Sequence, residues 1–346
     1  MLVRVLTRTH YQVDEPAYLR ELVISCTSAT RSEYPERVAE RLQKRTQVAG
    51  RALNLSAAKY GVDLAKGLGL LTENNFWSDH AQTLNLLEQE RAPSSTLELA
   101  LSPREQLFFF RLLFEYDGAA LIYFAHSLVQ EGTIPVTGQS WSAVANAMME
   151  SIYSEYLSLT SDIAERMRVR ALLAKRASRP YSGKSGPHQC FFHLQALTRI
   201  GLLARPSENR EYTEPESGRR SLSTLTKIVP DLGALELLIA KGRWVEVVAA
   251  VFGLDCAARD PMVGRAEILQ RCRDLYVRVR ATGASLCPLR TLIETMQVED
   301  LAAGRAPPKG EDVMATLRQA QADHPRGIRF HVDRIGRPTF VVFDAV

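Results

Sequence analysis

The sequence predicts a mainly α fold with short paired strands, built from similar units joined by helical connectors. Three observations predict it. Apolar residues recur at helical spacing through most of the chain. Ser, Asn, Pro and Gly fall where helices start and stop. Three stretches share one order: a helix, a turn, a second helix, then one or two short strands. The implied organisation is an N-terminal extension (1–32), a first unit (33–100), a helical connector (101–160), a basic second unit (161–228), a second connector (229–258) and a third unit ending in a hairpin (259–346).

In the first unit, Glu36 to Leu53 has an amphipathic helical pattern, and Ser56 is the expected N-cap of a helix over Ala57–Lys66. Gly67 and Gly69 mark its end. Leu70–Thr72 and Phe76–Ser78 then pair across Glu73-Asn74-Asn75, because Asn tolerates the left-handed backbone of a tight turn. Ser102-Pro103-Arg104-Glu105 combines a cap, a first-turn proline and a capping-box glutamate. It opens an apolar helix over Leu107–Phe114, and a second follows from Ala119 to Gln130 after Asp117-Gly118. Further connector helices cover Ser140–Tyr156.

In the second unit, a basic helix over Ala164–Ala177 leads through a Ser/Gly/Pro turn into a helix from Pro187 to Ile200, closed by Gly201. Leu202–Arg205 and Glu211–Thr213 are expected to pair as a hairpin. Leu232–Leu254 is a helical connector. It carries Glu236, Lys241, Arg243 and Glu246, too much charge for a membrane span. The third unit has helices over Glu267–Arg280, Pro288–Met296 and Asp312–Asp323. A hairpin of Ile328–Val332 with Thr339–Phe343 follows.

Composition is that of an ordinary soluble protein: 46% hydrophobic and 24% charged. The first residues show no secretory signal. The five cysteines (Cys26, Cys190, Cys256, Cys272, Cys287) form no Cys-x-x-Cys pair, which points to buried thiols in a reducing, cytoplasmic setting. Net charge is +4, but its distribution is uneven. Residues 166–205 hold nine basic and no acidic side chains, leaving −5 on the rest of the chain. Such a local cationic block is the footprint of a polyanion partner.

The segments AAKYGVDLAKGLGLLTENNFW and KSGPHQCFFHLQALTRIGLLAR resemble the second helix and wing of winged helix-turn-helix DNA-binding domains. Both end a short helix in Leu-Gly-Leu-Leu or Ile-Gly-Leu-Leu before a polar turn. The resemblance implies tandem winged-helix units that bind double-stranded DNA. In such docking the N-terminal end of the second helix reaches base edges. Here that places Lys184, Ser185, His188 and Gln189 at the bases, with His193 further along the outer face, and Arg179, Arg205 and Arg210 on phosphates. Lys59 and Lys66 in the first unit, and Arg334 and Arg337 in the last hairpin, are lesser DNA candidates. Apolar connector surfaces suggest self-association or a protein partner.

Enzymatic readings find less support. Ser182-Gly183-Lys184-Ser185 invites a phosphate loop, but Ser178 stands where the first glycine belongs and a helix precedes it. His188 and His193 are not at a metal-binding helical spacing, and no cofactor or metal is expected. A nuclease would need clustered carboxylates, and Asp333 and Asp344 are the candidates near the final hairpin. The expectation is therefore non-enzymatic DNA binding. The alternatives are an adaptor subunit of a larger DNA-handling complex, in chromosome organisation or antiviral or plasmid defence, and a nuclease whose acidic site is not local in sequence.

Overall fold

The computed structural model describes residues 15–25, 35–45, 47–48, 51–88, 100–135, 140–182, 187–204, 211–254, 264–282 and 286–344. These residues are mainly helical, with fourteen helices and a few short antiparallel strands.

α1 (Pro16–Ser25), α2 (Pro35–Arg45) and α3 (Leu55–Gly67) pack on one another. The helix expected over 36–53 stops at Arg45, and β1 (Gln47–Val48) pairs with β2 (Arg51–Ala52). Thr46 and Val48 are β-branched and Gly50 is a poor helix former, so local preference there opposes the helix. Asn54 rather than Ser56 caps α3: its side-chain oxygen accepts from the Ser56 N–H at 2.8 Å. The expected tight hairpin is present. Gly69 (φ +70°) and Asn75 (φ 60°) turn the chain, and Leu71 bridges Trp77.

α4 (Asp79–Glu88) leads to α5 (Pro103–Glu131), which opens with the expected reciprocal capping box of Ser102 and Glu105. The two helices expected here are one element kinked at Asp117 (φ −140°, ψ 27°). Next come β3 (Thr133–Pro135), α6 (Ser140–Leu159), α7 (Ile163–Ser178), α8 (Pro187–Ile200) and β4 (Glu211–Thr213). β4 was expected to pair with residues 202–205. One such bond exists, from the Ala204 N–H to the Thr213 carbonyl at 2.8 Å. The rest of its ladder runs to β3, with Ile134 opposite Tyr212. This pairing crosses the boundary drawn at residues 160 and 161.

α9 (Glu216–Ile228), α10 (Leu232–Ala240) and α11 (Trp244–Val251) follow. The single connector expected over 232–254 is thus two helices, separated at Lys241-Gly242-Arg243. The C-terminal part runs α12 (Gly264–Ala281), β5 (Cys287–Pro288), α13 (Leu289–Ala302), α14 (Gly310–Asp323), β6 (Ile328–Val332) and β7 (Pro338–Phe343). The expected final hairpin, β6–β7, gains β5 as a third strand, in the order β5-β7-β6.

Two cores result. The larger runs from α1 to α11 around α5, where Phe108, Phe109, Phe110, Phe114 and Phe124 are all fully buried, and it takes Val298 and Leu301 from α13. Each such ring contributes ~1.5–3 kcal/mol through burial. The smaller holds α12–α14 and β5–β7, and takes Leu86 from α4. A buried ionic network joins them. Glu294 of α13 accepts from His80 Nδ1 of α4 at 2.9 Å and pairs with Arg111 of α5. Tyr116 Oη lies 2.9 Å from His80 Nε2, and Arg111 sits 4.2 Å over the Trp244 ring and 3.4 Å from Glu115. Burial alone would raise the Glu294 pKa, but Arg111, His80 and Arg290 outweigh it and hold the carboxylate down to about 2.

Burial pushes the Cys190 and Cys272 thiols up to about 12, so both pack as protonated apolar groups; Cys287 is buried likewise. Cys26 and Cys256 lie outside the described residues. Among the described residues no helix is long and apolar enough to cross a membrane.

Candidate nucleic-acid interface

The basic block centres on α7. Asp162 starts the helix by accepting from the Ala164 and Glu165 N–H groups at 2.8 and 3.1 Å. Along the whole helix only Val169 is buried. α7 therefore lies on the body along a narrow line, with α6 beneath it, and offers most of its circumference to solvent.

The formal charge of the block divides into committed and available cations. Arg166 donates to the Leu157 and Thr160 carbonyls at 3.2 and 3.1 Å. Arg168 pairs with Glu165 at 2.9 Å. Arg176 stacks 3.8 Å over the Tyr181 ring. Arg199 makes a two-pronged pair with Glu15 at 2.5 and 2.7 Å. Arg170, Lys175 and Arg179 remain exposed, with no ion pair among the described residues. Lys175 and Arg176 also lie in the last turn, where cations complement the carbonyl end of the helix dipole.

The segment after α7 is clasped to α6. The Asn146 side chain accepts from the Tyr181 N–H at 2.9 Å and donates to the Tyr181 carbonyl at 3.2 Å. With the Arg176 stack, this fixes the path of the chain from Arg179 to Tyr181. Lys184, Ser185, Arg205 and Arg210 lie outside the described residues, as do the side chains of His188 and Gln189.

α8 has the predicted bounds but a different exposure. From Cys190 to Ile200 no residue is exposed. His193, expected on the outer face, is only 2% exposed and pairs with Asp117 at the α5 kink. The Phe124 ring centroid is 5.7 Å from its own. The reason is positional. Cys190, His193, Leu197 and Ile200 alternate at three- and four-residue steps, which is the core stripe of the helix. Gln195 is also occupied, donating to Tyr212 Oη at 3.1 Å. From Cys190 onward α8 therefore offers only partly covered side chains, those of Phe191, Gln195, Thr198 and Arg199.

Elsewhere the candidates are dispersed. Lys59 is exposed on α3, 3.8 Å from Glu36, and Lys66 is half-buried in its last turn. Arg334 and Arg337 are exposed at the tip between β6 and β7. Asp333 builds that tip, accepting from the Ile335 and Arg337 N–H groups, both at 2.9 Å. Asp344 forms a two-pronged pair with Arg329. Both carboxylates are thus engaged in structure. Among the described residues no three His, Cys, Asp or Glu side chains are grouped to hold a metal ion. The Asn146 clasp and the His193–Asp117 pair were not anticipated from sequence. Comparison with protein-family models, with curated proteins and with solved structures found no match to this chain.

Proposed function

We propose that this protein binds duplex DNA as a non-enzymatic, winged-helix-type protein, mainly through its phosphates. The observation that carries the reading is the acid-free run 166–205, in which Arg170 and Lys175 stand exposed on α7 and Arg179 at its C-terminal end. Lys184 and the first turn of α8 follow directly in sequence. The order helix, helix, strand, tip, strand in α13–α14–β6–β7 supports the winged-helix part of the proposal. With no fully exposed side chain on α8 from Cys190 onward, base readout falls to Ser185, His188 and Gln189, and affinity comes from charge.

The test is fluorescence anisotropy with a labelled duplex over a salt series. Log affinity should fall against log salt with a slope of about −0.9 per phosphate neutralised. Lys175→Ala with Arg179→Ala should flatten that slope by about 2 and weaken all sequences alike. An unchanged slope in this double variant would remove α7 from the interface. No binding by the parent protein at low salt would end the DNA reading altogether.

A second reading, an adaptor within a DNA-handling complex, is favoured by one observation. The solvent side of α14 carries Glu311, Asp312 and Asp323 against Arg318 alone. That balance suits a protein contact and repels phosphate.

A further inference from the structure

Phosphate binding explains the cations of α7 but not its apolar residues. Ile163 is 76% exposed and Met167 67%, which places them among the most exposed large apolar side chains described. They stand one turn apart on the same helix. Leaving such surface in water forgoes roughly 25 cal/mol per Å².

The pattern continues along the helix. Ala164, Met167, Ala171, Ala174 and Ser178 alternate at three- and four-residue steps, and all are exposed. That spacing is the seam of paired helices. Its small residues let another backbone approach closely, with Ile163 alongside. On both flanks of the seam stand cations without an ion pair among the described residues: Arg170 on one side and Lys175 on the other, next to the Arg168–Glu165 pair. Beside the seam, a groove of about 460 Å³ runs between α6 and α7, lined in part by Ala174, Ala177, Glu150 and Ser154.

We propose that this face docks an amphipathic α-helix of another protein, with an apolar seam of its own and Asp or Glu on both flanks. Charge selects the occupant. In an antiparallel pairing with a second copy, the flank that carries Arg170 would meet its own like, Arg170 against Arg170. Like-charged neighbours oppose association, whereas acidic flanks meet a cation on each side. A polyanion without an apolar seam satisfies the cations and leaves Ile163 and Met167 wet. The docking site shares Arg170 and Lys175 with the proposed DNA surface, so helix and DNA exclude each other there.

The experiment uses the full chain and two synthetic helical peptides with the same Leu/Ala seam, one flanked by Glu and one by Lys. Anisotropy should show binding of the Glu-flanked peptide only. Ile163→Gln with Met167→Gln, a neutral change at exposed positions, should weaken that binding by at least about tenfold, a loss of ~1.4 kcal/mol. The same variant should bind duplex DNA as the parent does. This separates failure of the docking proposal from failure of the DNA reading. Equal binding of both peptides, binding of neither, or parent-like binding by the double Gln variant would overturn the proposal. So would concentration-dependent dimerisation of the parent that the same variant abolishes, because the occupant would then be a second copy.

Discussion

Glu294→Gln is the sharpest perturbation of the fold. Gln keeps the size of the side chain and a carbonyl for His80 and Arg111, but it removes the charge. Arg111 is almost wholly buried, at 4% side-chain exposure, and would keep only Glu115 as an anionic neighbour among its described ion pairs. Breaking a buried pair from one side costs about 3–5 kcal/mol. The retained hydrogen bonds argue for the lower end, ~3 kcal/mol at neutral pH. Acid titration gives an independent figure. Glutamate normally titrates near ~4.3, and here the folded pKa is held down to about 2. A depressed folded pKa contributes stability that is present above the unfolded pKa and lost as pH falls through the folded one. The difference amounts to roughly 3 kcal/mol, lost between about pH 5 and pH 2. The assay is urea unfolding followed by tryptophan fluorescence, since Trp244 lies against Arg111. The parent and variant curves should be separated by ~3 kcal/mol at pH 7 and converge as pH falls. A gap under about 1 kcal/mol at pH 7, or curves that stay parallel into acid, would refute the reasoning.

Other expectations follow from single contacts. Gly69→Ala adds a Cβ 2.3 Å from Tyr116 Cζ, at a backbone φ of +70°. It should cost about 2–4 kcal/mol in urea unfolding, from strain and from displacing the ring that meets His80. Gly218→Ala brings a Cβ within 2.2 Å of the Leu202 carbonyl oxygen, a main-chain atom that cannot swing away. The expected loss is about 1–3 kcal/mol in the same assay. Asn146→Ala removes the two hydrogen bonds from its side chain to the Tyr181 main chain and should cost about 1–2 kcal/mol. If the clasp positions the proposed DNA surface, the same variant weakens duplex binding without changing the number of cations.

The parts legible in sequence were those written in local chemistry. Ser102, Pro103 and Glu105 announced the start of α5, Pro187 and Gly201 bounded α8, and Asn75 marked the first tight turn. What escaped notice depends on partners far along the chain. β3 and β5 are three and two residues long and each contains a proline, so neither has strand character alone. They become strands by pairing with β4 and β7. His193 looked like a ligand-facing residue because it is polar. Its neighbours at three- and four-residue steps, Cys190 and Leu197, already placed it inside, but its partner Asp117 lies in another helix. The same limit applied to charge. Nine cations were countable, whereas knowing that Arg199 serves Glu15, or that Arg166 serves two carbonyls, required the fold.

The network that joins the two cores also sets a condition on synthesis. His80 and Glu294 are 214 residues apart. At roughly 5–20 residues per second, a ribosome takes about 10–40 s to make the intervening chain. Throughout that interval α4 exists without α13: His80 can meet Tyr116 but not Glu294, and Leu86 lacks the smaller core that encloses it. A nascent chain therefore carries a largely completed first core with one unsealed flank. Any product terminated before α13 keeps that flank open to water, because the chain that would cover it was never made.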